Sequence, residues 1–106
     1  MSLLEFTILM LIDHRSKTQG AFFGKLYDSL IELGFVITHL QLKTYLESFV
    51  RQGWIFEIQP QGESAFEGRL FFIETKGKAC LEDGNFESNM TRLKEFKSKG
   101  PGRETI

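Results

Sequence analysis

The sequence contains only one cysteine and two histidines among its 106 residues. A lone thiol, Cys80, excludes an internal disulfide and a zinc site built from cysteines, and it is typical of a reducing compartment. His14 and His39 stand far apart, without the spacing of a metal cluster or an activated nucleophile. We therefore expect no metal, no cofactor and no enzymatic activity.

An excess of charge of one sign is also missing. The chain carries 13 Lys and Arg against 14 Asp and Glu, a formal net charge of −1. This balance excludes a protein that coats nucleic acid through bulk charge, although it permits a small local basic site. The longest apolar run near the start, Ile8 to Ile12, is too short to span a bilayer, and no basic segment precedes it. We expect a cytoplasmic protein without a membrane contact.

Phenylalanine is abundant, with 11 residues, and the hydrophobic content of 42% is enough for one packed core. The first predicted helix runs from Leu3 to Ile12 and is apolar nearly all round. Ser2 and Glu5 have the spacing of a capping box at its start. An apolar surface on every side indicates a helix that is buried on several sides or that meets a partner.

Two amphipathic helices follow and are separated by a short apolar turn. The second carries its apolar residues from Phe22 to Leu33 and ends at Gly34. The third has Thr38 as its predicted N-cap and ends at Gly53. Because only the segment 35–37 lies between Gly34 and Thr38, the pair is predicted to form a helix-turn-helix unit.

Two strands and further helices complete the chain. Residues 54–59 and 69–75 alternate in the manner of strands and enclose a loop over 60–68. Thr75 is the predicted cap of a fourth helix, and a last helix carries an apolar stripe of Phe86, Met90 and Leu93. This order predicts an α+β, mainly helical winged helix with three helices, a two-stranded β-hairpin wing and C-terminal helices. The predicted divisions are a domain at 1–82, a C-terminal helix at 83–100 and a tail at 101–106.

Three segments resemble the MarR and PadR winged-helix families of transcriptional regulators. LKTYLESFVRQGWI, residues 42–55, resembles the end of their recognition helix and the first wing strand. RLFFIETKGKACL, residues 69–81, resembles the returning strand and the next helix, and GAFFGKLYDSLIELG, residues 20–34, resembles the second helix of PadR members. The chain departs from PadR members at Lys43-Thr44, where they carry a Tyr-Pro pair, and its wing loop is acidic. The resemblance implies a regulator that binds double-stranded DNA sequence-specifically as a dimer.

Recognition of DNA would fall to the outward face of the third helix and to the wing. A glutamine there can pair with adenine, a lysine can reach guanine or phosphate, and an outward leucine can meet a thymine methyl group or a protein partner. The candidate DNA-contacting residues are Thr38, His39, Leu40, Gln41, Lys43, Thr44, Ser48 and Arg51 on the helix, with Gln61, Ser64 and Arg69 in the wing.

Two alternatives concern the partners. The chain is expected to form a homodimer through its first and last helices, unless the last helix folds back on the first helix of its own chain. The net charge also leaves open a winged helix that binds another protein rather than DNA, because non-specific affinity for DNA depends on neutralising phosphates.

Overall fold

The computed structural model describes residues 1–58, 69–83 and 85–98. Over these ranges the chain is an α+β protein with five helices and a small antiparallel sheet. None of the helices in these ranges is long and apolar enough to cross a membrane. The elements in chain order are α1 (Leu3–Ser16), β1 (Ala21–Phe22), α2 (Phe23–Leu33), α3 (His39–Arg51), β2 (Ile55–Ile58), β3 (Leu70–Ile73), α4 (Thr75–Leu81) and α5 (Phe86–Ser98).

Helix α1 lies at the centre of the fold, in contact with α2, α4, α5 and the strands β1 and β3. Its predicted capping box is confirmed, since the Ser2 hydroxyl accepts from the Glu5 N–H at 3.1 Å and the Glu5 carboxylate accepts from the Ser2 N–H at 2.8 Å. Most of the apolar surface of α1 is covered by these elements, although its first residues, Leu3 and Leu4, are only half-buried. Its largest fully buried side chains are Phe6, Ile8, Leu9 and Ile12.

The sheet has three strands in the order β1-β3-β2, where the sequence predicted two. The additional strand pairs Ala21 with Phe71 and Phe22 with Leu70. Phe22 was assigned to the second helix, but its backbone is extended and α2 begins one residue later. A strand of two residues is too short to show a period of two, so its only sequence signal was apolar character that also suited the helix.

The hairpin pairs β2 with β3, with Ile55 opposite Ile73 and Phe56 opposite Phe72. Ile55 and Phe71 point into the core, as the alternation of side chains along a strand requires. Phe56 lies on the opposite face and stacks on Phe72, with ring centroids 5.5 Å apart. This outer face remains partly exposed.

Helix α4 packs so closely on the start of β2 that one position in it has no room for a side chain. A Cβ atom built at Gly77 would lie 2.1 Å from the backbone oxygen of Trp54. The same oxygen accepts a hydrogen bond of 2.8 Å from the N–H of Glu74. The N-cap of α4 is Glu74 rather than the predicted Thr75, because this hydrogen bond holds residue 74 in extended conformation at the end of the hairpin.

Helix α5 folds back on its own chain, which is the second of the two arrangements that the sequence left open. Leu93 is buried, and the ring of Phe86 meets the ring of Phe6 edge-on at 5.8 Å. Helix α1 thus covers part of the apolar stripe of α5, with Leu93 buried and Met90 half-buried. Phe86 nevertheless remains 38% exposed, and the homodimer stays a prediction.

Replacing Gly77 with alanine tests the contact between α4 and β2. Alanine in place of glycine inside a helix normally stabilises by about 1 kcal/mol. Here the methyl group would overlap the Trp54 backbone, so we expect Gly77→Ala to lower the free energy of unfolding by about 2–3 kcal/mol, as overpacking does. Denaturant unfolding measures the change. Lys76→Ala, at the exposed neighbouring position, is the control and should stay within about 0.5 kcal/mol of the parent. A stabilised Gly77→Ala protein would contradict the contact.

Candidate nucleic-acid interface

The turn between α2 and α3 is defined at both ends. Gly34 ends α2 in the left-handed region, with φ 108°, a conformation that glycine adopts without steric cost. The N–H of Phe35 then donates to the carbonyl of Leu30 at 3.0 Å, which closes the helix end. Thr38 begins α3 as its N-cap, as predicted. The turn therefore holds α3 in one orientation against α2.

The sequence-predicted residues of α3 lie along its outer side. Leu42, Leu46 and Phe49 face the core. Val50, near the end of α3, is 39% exposed. Of the candidates for DNA contact, Lys43 and Ser48 are half-buried, and the exposed ones are Thr38, His39, Leu40, Gln41, Thr44 and Arg51.

Several polar side chains on this surface already make hydrogen bonds within the helix. The Gln41 Oε1 atom accepts from the Thr38 N–H at 2.8 Å, and the Thr38 Oγ1 atom accepts from the Gln41 N–H at 3.0 Å. The Thr44 hydroxyl donates to the Leu40 carbonyl at 3.0 Å. Gln41 thus serves as a capping residue, a role that the sequence did not predict although Thr38 and Gln41 have capping-box spacing.

His39 lies at the start of α3 and is held by rings from α2. Its imidazole stacks on Tyr27 with centroids 3.9 Å apart and lies 5.9 Å from the ring of Phe23. One face of the imidazole is therefore covered. This contact fixes the beginning of α3 on α2 and leaves the edge of the ring toward solvent.

Most cations near α3 have carboxylate neighbours. Lys43 pairs with Glu47 at 3.9 Å, an exposed contact of small energy. Arg69, a predicted wing contact, donates to both carboxylate oxygens of Glu57, with Nη2 2.6 Å from Oε1. This hydrogen bonding raises the pKa of the Arg69 guanidinium above its ordinary value. Among the described residues, Arg51 makes no ion pair, although it borders a depression that also contains Glu47 and Glu57.

A concave surface lies beside α3 and encloses a volume of about 590 Å³. Its walls come from the start of α1, the α2–α3 turn and the outer side of α3, so the concavity forms only in the folded chain. The lining residues are Leu4, Glu5, Val36, Ile37, Leu40, Gln41, Thr44, Tyr45, Ser48 and Arg51.

Val36 and the end of α5 were missed by the sequence analysis. Val36 is 82% exposed in the turn, the most exposed large apolar residue of the described chain. The ring of the neighbouring Phe35 stacks on the ring of Phe96 in α5, with centroids 4.5 Å apart. The next residue of α5, Lys97, is exposed. The run of three apolar residues in so short a turn was the available signal, since Phe35 and Ile37 pack on the core and Val36 does not.

Gln61 and Ser64, the remaining wing candidates, lie outside the described residues. Within residues 1–58, 69–83 and 85–98, no group of three or more His, Cys, Asp or Glu side chains is placed to hold a metal ion. No protein-family model, no curated protein and no solved structure matches the chain.

The capping box of α3 predicts a measurable effect on stability. Thr38→Ala removes the oxygen that accepts from the Gln41 N–H, and we expect a loss of about 1 kcal/mol in the free energy of unfolding. Thr38→Ser retains a hydroxyl and should recover most of this loss. Thermal unfolding followed by circular dichroism provides the measurement. A Thr38→Ala protein that unfolds at the parent temperature would show that the cap contributes nothing.

Proposed function

We propose that this domain is a winged helix that binds double-stranded DNA sequence-specifically, as a regulator of transcription. The observation that supports the proposal best is the topology. A tight turn joins α2 to α3, the hairpin β2–β3 follows directly, and β3 lies between β1 and β2. In a helix-turn-helix the second helix enters the major groove by its N-terminal residues. The first two turns of α3 expose their outer side and have the shape needed for that role.

Phosphate contacts would come from both ends of this surface. The first turn of α3, which lies wholly within the described residues, contains no acidic residue, so its N-terminal dipole is available to attract a phosphate. Arg51 lies at the other end of α3, and Lys97 follows Phe96 of α5, whose ring stacks on Phe35 of the turn. In this proposal the wing residue Arg69 stabilises the hairpin through Glu57 rather than contacting DNA.

The pairing of Lys43 and Arg69 with carboxylates predicts modest non-specific affinity, because few cations remain to release counterions. Specific binding would then depend on contacts to base edges and show a shallow salt dependence. Selection of bound sequences from random duplexes with the full chain is the experiment that tests the function. Enrichment of one motif supports it, and a palindromic motif would in addition support a dimer on the DNA.

A protein-binding winged helix is the second candidate function. It is favoured by the exposure of Val36 and Leu40, 82% and 69%, at the edge of the concave surface. A neighbouring pair of exposed apolar side chains is a common feature of surfaces that bind proteins. Absence of any duplex binding at low salt would favour this candidate over the first.

Arg51→Ala tests the phosphate contact at the end of α3. The variant should bind all duplexes more weakly and reduce the slope of log affinity against log salt by about one charge, since a phosphate contact carries no sequence information. Fluorescence anisotropy over a range of salt concentrations measures both effects. Lys78→Ala is the matched control, because it also removes one positive charge but lies in α4, outside the proposed interface. The Lys78 Nζ atom is 3.6 Å from the Oδ1 atom of Asp13, near the C-terminal end of α1. An Arg51→Ala slope equal to that of the parent would remove Arg51 from the interface.

A further inference from the structure

Two of the exposed polar side chains in the first two turns of α3 are already hydrogen-bonded within the helix. Gln41, the side chain best suited to adenine, has its Oε1 atom bound to the Thr38 N–H. A bidentate contact to adenine needs both the oxygen and the nitrogen of the amide, so this oxygen would have to accept a second hydrogen bond or leave the cap. The Thr44 hydroxyl likewise donates a hydrogen bond to the Leu40 carbonyl.

The same side of α3 also carries exposed apolar side chains. Leu40 is 69% exposed at the second position of α3, and Val36 is 82% exposed in the turn before it. Leu40 and Thr44 are four residues apart and so lie on the same side of the helix. Both border the same concave surface as Val36. The two most exposed large apolar side chains of the described residues thus lie at the start of α3, beside the polar groups that cap this helix.

In the major groove, one base has a hydrocarbon group at its edge. Thymine carries a C5-methyl group there, whereas the other bases present hydrogen-bond donors and acceptors. Resting on the proposed function, we propose that Leu40, with Val36 beside it, reads the methyl groups of thymine, so that the preferred duplex has thymine at the base pairs facing the start of α3. The absence of acidic residues in the first turn of α3 suits an approach to the anionic backbone that flanks those bases.

Deoxyuridine provides the test, because uracil lacks only the methyl group and keeps every hydrogen-bonding atom of thymine. The probe is the duplex recovered by selection with the full chain, with each thymine replaced singly by deoxyuridine. We expect one or two positions at which the replacement weakens binding about fourfold, the factor that corresponds to about 0.8 kcal/mol for burying one methyl group. At those positions Leu40→Ala should bind thymine and uracil duplexes equally.

Val50→Ala is the matched control, since Val50 is also an exposed apolar residue of α3 but lies at its C-terminal end, 39% exposed. This variant should keep the full difference between thymine and uracil. Circular dichroism should show that Leu40→Ala unfolds at the parent temperature, because the side chain is mostly in solvent.

The failure of this inference is distinguishable from failure of the proposed function. A wild-type protein that binds the selected duplex but is indifferent to uracil at every position overturns the methyl contact and leaves DNA binding standing. A wild-type protein that binds no duplex, even at low salt, overturns both. The surface of Val36 and Leu40 would then be the docking face of a protein partner.

Discussion

Burial of α1 is the constraint on which the rest of the structure depends. A helix that is apolar on every side can remain folded in water only if other elements cover it all round. The chain does this with α2, α4, α5, β1 and β3, all of which contact α1. Because α5 packs on α1, Leu93 and Met90 of its apolar stripe contact the rest of the chain, while Phe86 stays partly exposed. The two most exposed large apolar side chains of the described residues, Val36 and Leu40, lie away from this core, in the α2–α3 turn and on the outer side of α3.

Local signals were enough to predict most of the elements. Gly34 and Thr38 mark the ends of α2 and α3 through chemistry confined to a few residues, and both were predicted correctly. The features that were missed depend on distant parts of the chain. Strand β1 exists because β3 supplies its hydrogen-bonding partner some 50 residues later, and Glu74 caps α4 because Trp54 accepts its N–H. No pattern inside the segment itself reports such a partner.

The sequence predicted which residues of α3 face outward, but it did not predict which of the polar side chains make hydrogen bonds within the chain. Helical periodicity correctly placed Leu40, Thr44 and Arg51 on the outer side of α3. It could not show that Gln41 is occupied in a cap or that Arg69 is bound to Glu57, because such occupancy depends on side-chain conformation and on pairing across the hairpin. Both residues therefore have structural contacts that the sequence did not predict, and their contact with DNA stays a prediction.

The two defined ends of the α2–α3 turn also bear on the thermodynamics of association. Segments that fold as they bind lose conformational entropy, which costs about 2–5 kcal/mol of the interaction energy, and they show large negative heat-capacity changes. Here α3 is capped by Thr38 and closed against α2 by Gly34 before any partner arrives. A partner that binds α3 therefore contacts a helix that is already folded, and no further folding of this helix accompanies binding. The heat-capacity change on binding should then correspond to the surface buried at the contact alone.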